Sequence, residues 1–139
     1  MLEIPPKLRA IVRRRLKEEY FVWMTTVGSD LAPQPRPVWF VWDQDTFLIY
    51  SQPQAFKVRH IRQHPRVALH FNADATGDND VLVFIGDARL DPTAPPAHRM
   101  PAYVRKYREG FVGLDMTAEA MSADYSVAIR VTPTSVRGG

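Results

Sequence analysis

Seven consecutive residues, Arg36 to Trp42 (RPVWFVW), do most to limit how this chain can fold. In an extended strand one face carries Arg36, Val38, Phe40 and Trp42, and the other carries Pro37, Trp39 and Val41. A half-buried strand alternates apolar with polar residues, because successive side chains point to opposite faces. Here both faces are apolar, so both require cover. A barrel core can supply one side; a helix, a second subunit or a ligand is required on the other.

The 139 residues fit one domain, spanning 1–139. An apolar fraction of 45% and a charged fraction of 24% are ordinary for a globular chain. Cysteine is absent, which excludes disulfides, thiolate metal sites and a cysteine nucleophile. MLEIPPKLRAIVRRR holds no apolar run suited to a signal peptide, and no window approaches the ~20 apolar residues that span a bilayer. The expectation is a cytoplasmic protein with no membrane partner. Net charge is +3, with much of the excess in KLRAIVRRRLK. Such a run reads first as a solvated helix face and only second as an anion-attracting patch.

Pro5 and Pro6 suit a helix start, and Leu8, Ile11, Val12 and Leu16 follow helical spacing. YFVWMTTV, QPRPVWFVWD and TFLIYS read as three strands of a meander, joined by turns at GSDLAP and DQD. QPQAFKVRHIRQH is a turn and a short helix with Val58 and Ile61 inward, ended by Pro65. RVALHFNA and VLVFIGDARL are further strands, and Gly86 marks a bulge or a close backbone approach. HRMPAYVRKYREG is helical with Gly110 as its C-cap, and Thr117 is placed to N-cap another short helix. SVAIRVTPTSVR alternates but contains Pro133, as an edge strand or a strand with a break would. About six strands at short spacing predict a mainly β (α+β) fold, a closed or partly closed antiparallel barrel with a few peripheral helices.

YSQPQAFK puts Tyr50 and Ser51 at a strand end and Lys57 in the first turns of a helix. Unpaired amides, a hydroxyl and an ammonium together suit an anion such as phosphate, although turn residues alone explain most of the composition. His60 and His64 lie four apart but lack a neighbouring glutamate or an evident third ligand, so no metal is expected. Asp78, Asn79 and Asp80 resemble a fragment of a calcium loop without its closing glutamate. No nucleophile elbow, dinucleotide fingerprint or phosphate-binding P-loop occurs, and no catalytic acid or base stands out. Aromatic residues interleaved with basic ones fit a nucleic-acid-binding barrel, but rings beside aliphatics on both faces favour a core or a ligand bed.

The order of motifs in MTTVGSDLAPQPRPVWFVWDQDTFLIYSQPQAFKVRHIRQHPRVALHF resembles the pyridoxamine-phosphate-oxidase-like superfamily, the flavin-binding split β-barrels. With the tail YVRKYREGFVGLDMTAEAMSADYSVAIRVTPTSVRG it is most similar to the branch of deazaflavin (F-420)-dependent enzymes. The resemblance implies a six-stranded antiparallel split barrel and a homodimer with cofactor sites between subunits. It implies a deazaflavin (F-420) or flavin mononucleotide (FMN) cofactor and an oxidoreductase acting on a small organic substrate. A binding protein without turnover and, in another class, a nucleic-acid-binding barrel are the alternatives. Arg36, Pro37, Val38 and Trp39 match the strand beneath the ring system. Tyr50, Ser51, Gln52, Ala55, Phe56 and Lys57 match the segment that holds the phosphate. Ala55 and Phe56 stand where the oxidases carry a serine and an arginine, which removes a hydroxyl and a charge. Arg9, Arg13, Arg14 and Arg15 are hypothesised to form a basic track for the acidic tail of the deazaflavin coenzyme.

Overall fold

The computed structural model describes residues 2–73 and 81–138, so the calcium-like fragment at Asp78, Asn79 and Asp80 lies outside the described residues. A single 3-10 turn, Pro6–Leu8, feeds helix α1 (Arg9–Glu18), whose Val12 and Leu16 are buried as their spacing predicts. Strands β1 (Phe21–Val27), β2 (Pro33–Trp39), β3 (Val41–Asp43) and β4 (Thr46–Ser51) follow. Helix α2 (Phe56–Gln63) buries Val58 and Ile61 and leads to β5 (Arg66–His70) and β6 (Leu82–Leu90). Helices α3 (Pro101–Gly113) and α4 (Ala118–Asp124) precede the last strand, β7 (Val127–Gly138).

The strands form one antiparallel sheet in the order β2-β1-β5-β6-β7-β4-β3. Seven strands replace the six expected, because QPRPVWFVWD breaks at Phe40. The meander is also corrected: β2 pairs only with β1 and β3 only with β4, at opposite edges of the sheet. Yet β2 ends at Trp39 and β3 begins at Val41. One residue therefore spans from the first edge to the last, which is possible only if the sheet curls until its edges meet. The barrel is split along this seam and closed there by Phe40.

Phe40 sits outside both ladders, and α3 supplies what the ladders do not. The Tyr107 hydroxyl accepts the Phe40 N–H at 2.7 Å and lies 2.7 Å from both the Phe40 and Tyr20 carbonyls, to one of which it donates. The Lys106 ammonium donates to the Phe40 carbonyl at 2.7 Å and lies 3.7 Å from the Phe40 ring centroid. Burial pushes the Lys106 pKa down to about 8. Tyr107→Phe leaves the buried seam amide without its acceptor, and a loss of about 1–3 kcal/mol is expected in urea unfolding.

The opening puzzle of two apolar faces is resolved by two cores. Val38, Phe40 and Trp42 pack with the barrel interior around Phe47, Phe84 and Leu69. Trp39 and Val41 pack with the outer cluster around Tyr103, Tyr107 and Phe111, which lie on one stripe of α3. β4 lies between the two cores, and all six of its residues are buried. The second cover is thus a helix.

β2 is an edge strand with prolines at 33, 35 and 37. Proline cannot donate, so an antiparallel ladder here must use the amides of Gln34, Arg36 and Val38 toward β1. The open edge over Pro33–Pro37 then presents carbonyls alone, which blocks strand addition.

Gly86 does mark a bulge: the β6–β7 register shifts between Ile85 and Gly86, with Pro133 opposite Gly86. β7 is not an edge strand, since it lies between β6 and β4. Pro133 is tolerated at the break, beyond the Val131 at which pairing with β4 ends. Gly110 is not a C-cap, because α3 runs on to Gly113. It is instead a close-approach glycine, where a Cβ would fall 2.8 Å from the Trp39 ring. Thr117 N-caps α4, accepting the Ala120 N–H at 3.0 Å. Among the described residues no helix is long and apolar enough to cross a membrane.

Candidate functional site

Nine of the residues expected at a cofactor site line a single cleft of about 950 Å³: Arg36, Pro37, Val38, Trp39, Tyr50, Gln52, Ala55, Phe56 and Lys57. The tenth, Ser51, does not line it. It is fully buried at the end of β4, and its hydroxyl donates to the Gln52 carbonyl at 3.0 Å. The alternation along β4 turns Tyr50 toward the outer cluster and leaves Ser51 behind the wall.

Helix α2 opens on this cleft. Ala55 is extended and gives no side-chain cap. The Ala55 and Val58 amides bond within the turn, at 3.2 and 3.1 Å, while those of Phe56 and Lys57 have no backbone acceptor among the described residues. Lys57 is half-buried beside them. Burial, and then the charge of Arg36, lower its pKa from the ordinary lysine value. Among the described residues neither Lys57 nor Arg36 has a carboxylate within ion-pair distance. Two neighbouring cations at an uncapped helix start repel each other, and an anion between them relieves that repulsion.

Trp39 forms an aromatic wall. Its ring stacks on Tyr107 at 4.4 Å with a 5° interplanar angle and meets Tyr20 and Phe111 edge-on. Opposite in character is the lining from α3, α4 and their connection: Tyr103, Leu114, Met116, Met121 and Tyr125. None of these was singled out from the sequence. Tyr103, Tyr107 and Phe111 share one helical stripe, and spacing alone does not separate the ring that faces a cleft from those that fill a core.

The basic track, expected to extend beyond the pocket, loses Arg15. No residue of α1 lines this cleft; Arg9 and Arg13 line a separate groove with Trp42 and the N-terminal residues. Arg15 is buried, donating to the Asn72 carbonyl and to Glu19, each at 2.6 Å, with its guanidinium 5.2 Å from the Phe71 ring centroid. It serves the fold. Of the histidine pair, His60 lines the cleft with Nδ1 2.9 Å from the Thr26 hydroxyl, and its Nε2 edge packs against Gly28.

A curled antiparallel sheet, split at one seam and flanked by a cleft at a helix start, defines the split β-barrel class. The family model described as pyridoxamine 5'-phosphate oxidase matches residues 7–138, and the chain belongs to that family. No curated protein sequence matches the chain. Among solved structures it is similar to a candidate pyridoxamine 5'-phosphate oxidase of Listeria innocua, at 23% identity over 95% of this chain and 94% of that one, with a TM-score of 0.66. A protein titled F420 reductase matches at 22% identity over 96% and 98%, with a TM-score of 0.67. The haem storage protein HutZ of Vibrio cholerae matches at 15% identity over 94% of each chain, with a TM-score of 0.65. At these identities the structures establish the fold.

Proposed function

We propose that the chain binds a flavin-type cofactor, deazaflavin (F-420) or FMN, in this cleft and acts as an oxidoreductase on a small organic substrate. One observation carries the reading: Lys57 at the uncapped start of α2 and Arg36 of β2 have no carboxylate partner among the described residues, beside a wall formed by Trp39. These residues fit the group, since the cations and free amides suit a phosphate and the indole suits a ring system. Gln52 and Lys57 would hold the phosphate, while Arg36, Pro37, Val38 and Trp39 would flank the ring. When bound, such a cofactor supplies hydride or electron transfer. The protein's part is to bind it, orient it and shield one face.

The cleft offers the phosphate few ligands. Ser51 is turned away, and Ala55 and Phe56 bring neither hydroxyl nor charge. A singly charged phosphodiester, as in the deazaflavin coenzyme, requires fewer ligands than the dianionic monoester of FMN, and this supports the former. Haem storage is not carried over from the HutZ likeness. His60 is the one histidine lining the cleft among the described residues, and both its nitrogens are engaged or packed.

Phe56 is 68% exposed and Leu114 59%, and both lie on the cleft lining. Their exposure supports a second copy of the chain covering the mouth, as in a homodimer; analytical ultracentrifugation tests it. The cofactor is tested by titrating the purified chain with FMN and with F-420, following cofactor fluorescence. Saturable binding of F-420 in preference to FMN is expected. Binding of neither, together with retention of a labelled single-stranded oligonucleotide, overturns the reading in favour of a nucleic-acid-binding barrel. Reduction assays with the bound cofactor on a substrate panel separate an enzyme from a binding protein.

A further inference from the structure

Tyr20 and Phe40 stand where the next rung of the β1–β2 ladder would fall, since Phe21 pairs with Trp39 and Val22 with Val38. The prolines make Gln34, Arg36 and Val38 the bonded positions of β2 toward β1, and Phe40 continues that alternation. In an unbroken ladder the Phe40 amide would donate to the Tyr20 carbonyl, and the Tyr20 amide to the Phe40 carbonyl. The Tyr107 hydroxyl takes the place of the first bond: it accepts the Phe40 N–H and lies 2.7 Å from the Tyr20 carbonyl. The Lys106 ammonium takes the place of the second, donating to the Phe40 carbonyl at 2.7 Å. Helix α3 thus inserts two adjacent side chains into the last rung.

The proton count of this rung depends on Lys106. Tyr107 has one hydroxyl proton and two carbonyls at 2.7 Å, those of Tyr20 and Phe40. While the ammonium serves Phe40, the hydroxyl proton is available to Tyr20, and both carbonyls are satisfied. Without the ammonium, the two carbonyls compete for that proton. The cleft feels the difference through Trp39. The Phe40 amide belongs to the same peptide group as the Trp39 carbonyl, and the Tyr107 ring stacks on the Trp39 ring at 4.4 Å. Any shift of Tyr107 therefore reaches the indole that walls the cleft.

Lys106 is half-buried, 3.7 Å from the Phe40 ring centroid and 5.2 Å from that of Tyr107. Among the described residues no carboxylate lies within ion-pair distance of it. Burial brings its pKa to about 8, against the pull of Glu19 at the end of α1, which is itself bonded to Arg15. The other titratable groups at the rung, Tyr20 and Tyr107, are phenols, and burial pushes the Tyr107 pKa upward, so that hydroxyl keeps its proton. Because the Lys106 value lies below the ordinary 10.5, its own contribution to stability rises from about pH 8 upward. A change in the wall over that range is therefore not unfolding.

We propose that Lys106 is a positioning residue for the cleft wall: its ammonium holds the Phe40 carbonyl, commits the Tyr107 hydroxyl to Tyr20, and so fixes Trp39 for a bound ring. The ring is that of the cofactor reading, on which only the affinity arm of the test rests. The full chain, labelled with fluorotryptophan and free of cofactor, is titrated with base and followed by fluorine NMR. The Trp39 signal is identified by its loss in Trp39→Phe. In the wild type it is expected to move with a midpoint near pH 8. Lys106→Arg, which keeps its charge, is expected to hold the low-pH position, and Lys106→Met the high-pH position, throughout. Cofactor affinity at neutral pH is expected to fall about three- to fivefold in Lys106→Met and to be restored in Lys106→Arg. A Trp39 signal that stays still in the wild type overturns the proposal. One that moves equally in Lys106→Met assigns the change to another group, such as Lys57, and overturns it too. A lowered melting temperature in Lys106→Met, with the pH course and the affinity both unchanged, would mark a merely structural lysine and overturn it as well. If neither FMN nor F-420 binds, the cofactor reading fails separately, and the fluorine titration still decides the role of Lys106.

Discussion

Asp91→Ala is expected to destabilise the protein by about 3–5 kcal/mol, because it strands a buried guanidinium. Arg130 is 4% exposed and Asp91 7%. The Arg130 Nε donates to Asp91 at 2.7 Å, while Nη1 donates to the Asp43 carboxylate at 3.0 Å and to the Thr46 hydroxyl at 3.1 Å. The other Asp91 oxygen accepts from the Thr93 hydroxyl at 2.6 Å and the Thr93 amide at 3.0 Å. The network ties β3, β4 and β7 to the segment that follows β6. With Asp91 gone, Arg130 keeps only the half-exposed Asp43 as a counter-charge. Asp91→Ala combined with Arg130→Met is expected to be more stable than Asp91→Ala alone, since no unpaired charge remains buried. Equal stabilities would show that the buried charge is not the cause.

The same group sets an acid limit. The Thr93 hydroxyl, then Arg130, hold the Asp91 pKa at about 2, below its ordinary value of 3.8. A depressed carboxylate contributes stability that is complete above the unfolded pKa and is lost as pH falls through the folded one. Urea midpoints of the wild type are therefore expected to decline between about pH 4 and pH 2. Asp91→Asn, which cannot titrate, is expected to start lower and to lose less over that window.

Local chemistry was legible in the sequence wherever neighbours along the chain decide it. Val12 and Leu16 face inward because of their helical spacing, and Thr117 caps because its own hydroxyl reaches Ala120. What was not legible depends on distant partners. The strand breaks at Phe40 because Tyr107, 67 residues later, satisfies the Phe40 amide. Arg15 lies in a basic run, yet the Asn72 carbonyl and the Phe71 ring draw it inside. The sheet order follows from the same seam, since only curling brings β2 and β3 end to end. In the candidate site, the motif from Tyr50 to Lys57 indicated a strand, a turn and a helix start. Which of two adjacent hydroxyls faces the cleft depends on strand parity relative to α3, and that parity excludes Ser51.

Lys57→Ala is expected to weaken cofactor binding by about 1.5–3 kcal/mol, roughly ten- to a hundredfold, through loss of a charge-assisted contact. Arg36 is exposed, so Arg36→Ala is expected to lower affinity by less than about 1 kcal/mol and to account for more of the salt dependence. The two are coupled through pH. Binding requires the Lys57 ammonium, whose pKa burial and Arg36 already lower, so affinity is expected to fall as pH rises at a lower pH than an ordinary lysine would dictate. Removing Arg36 lifts one of the two causes and moves that fall to higher pH. Stability should run the other way. Without an anion, Lys57 is a half-buried cation facing a second cation, so Lys57→Met is expected to leave the unloaded chain at least as stable as the wild type while impairing binding. A structural lysine would lose both together. The opposite signs, read by calorimetry on one side and urea unfolding on the other, mark Lys57 as a residue placed for a ligand.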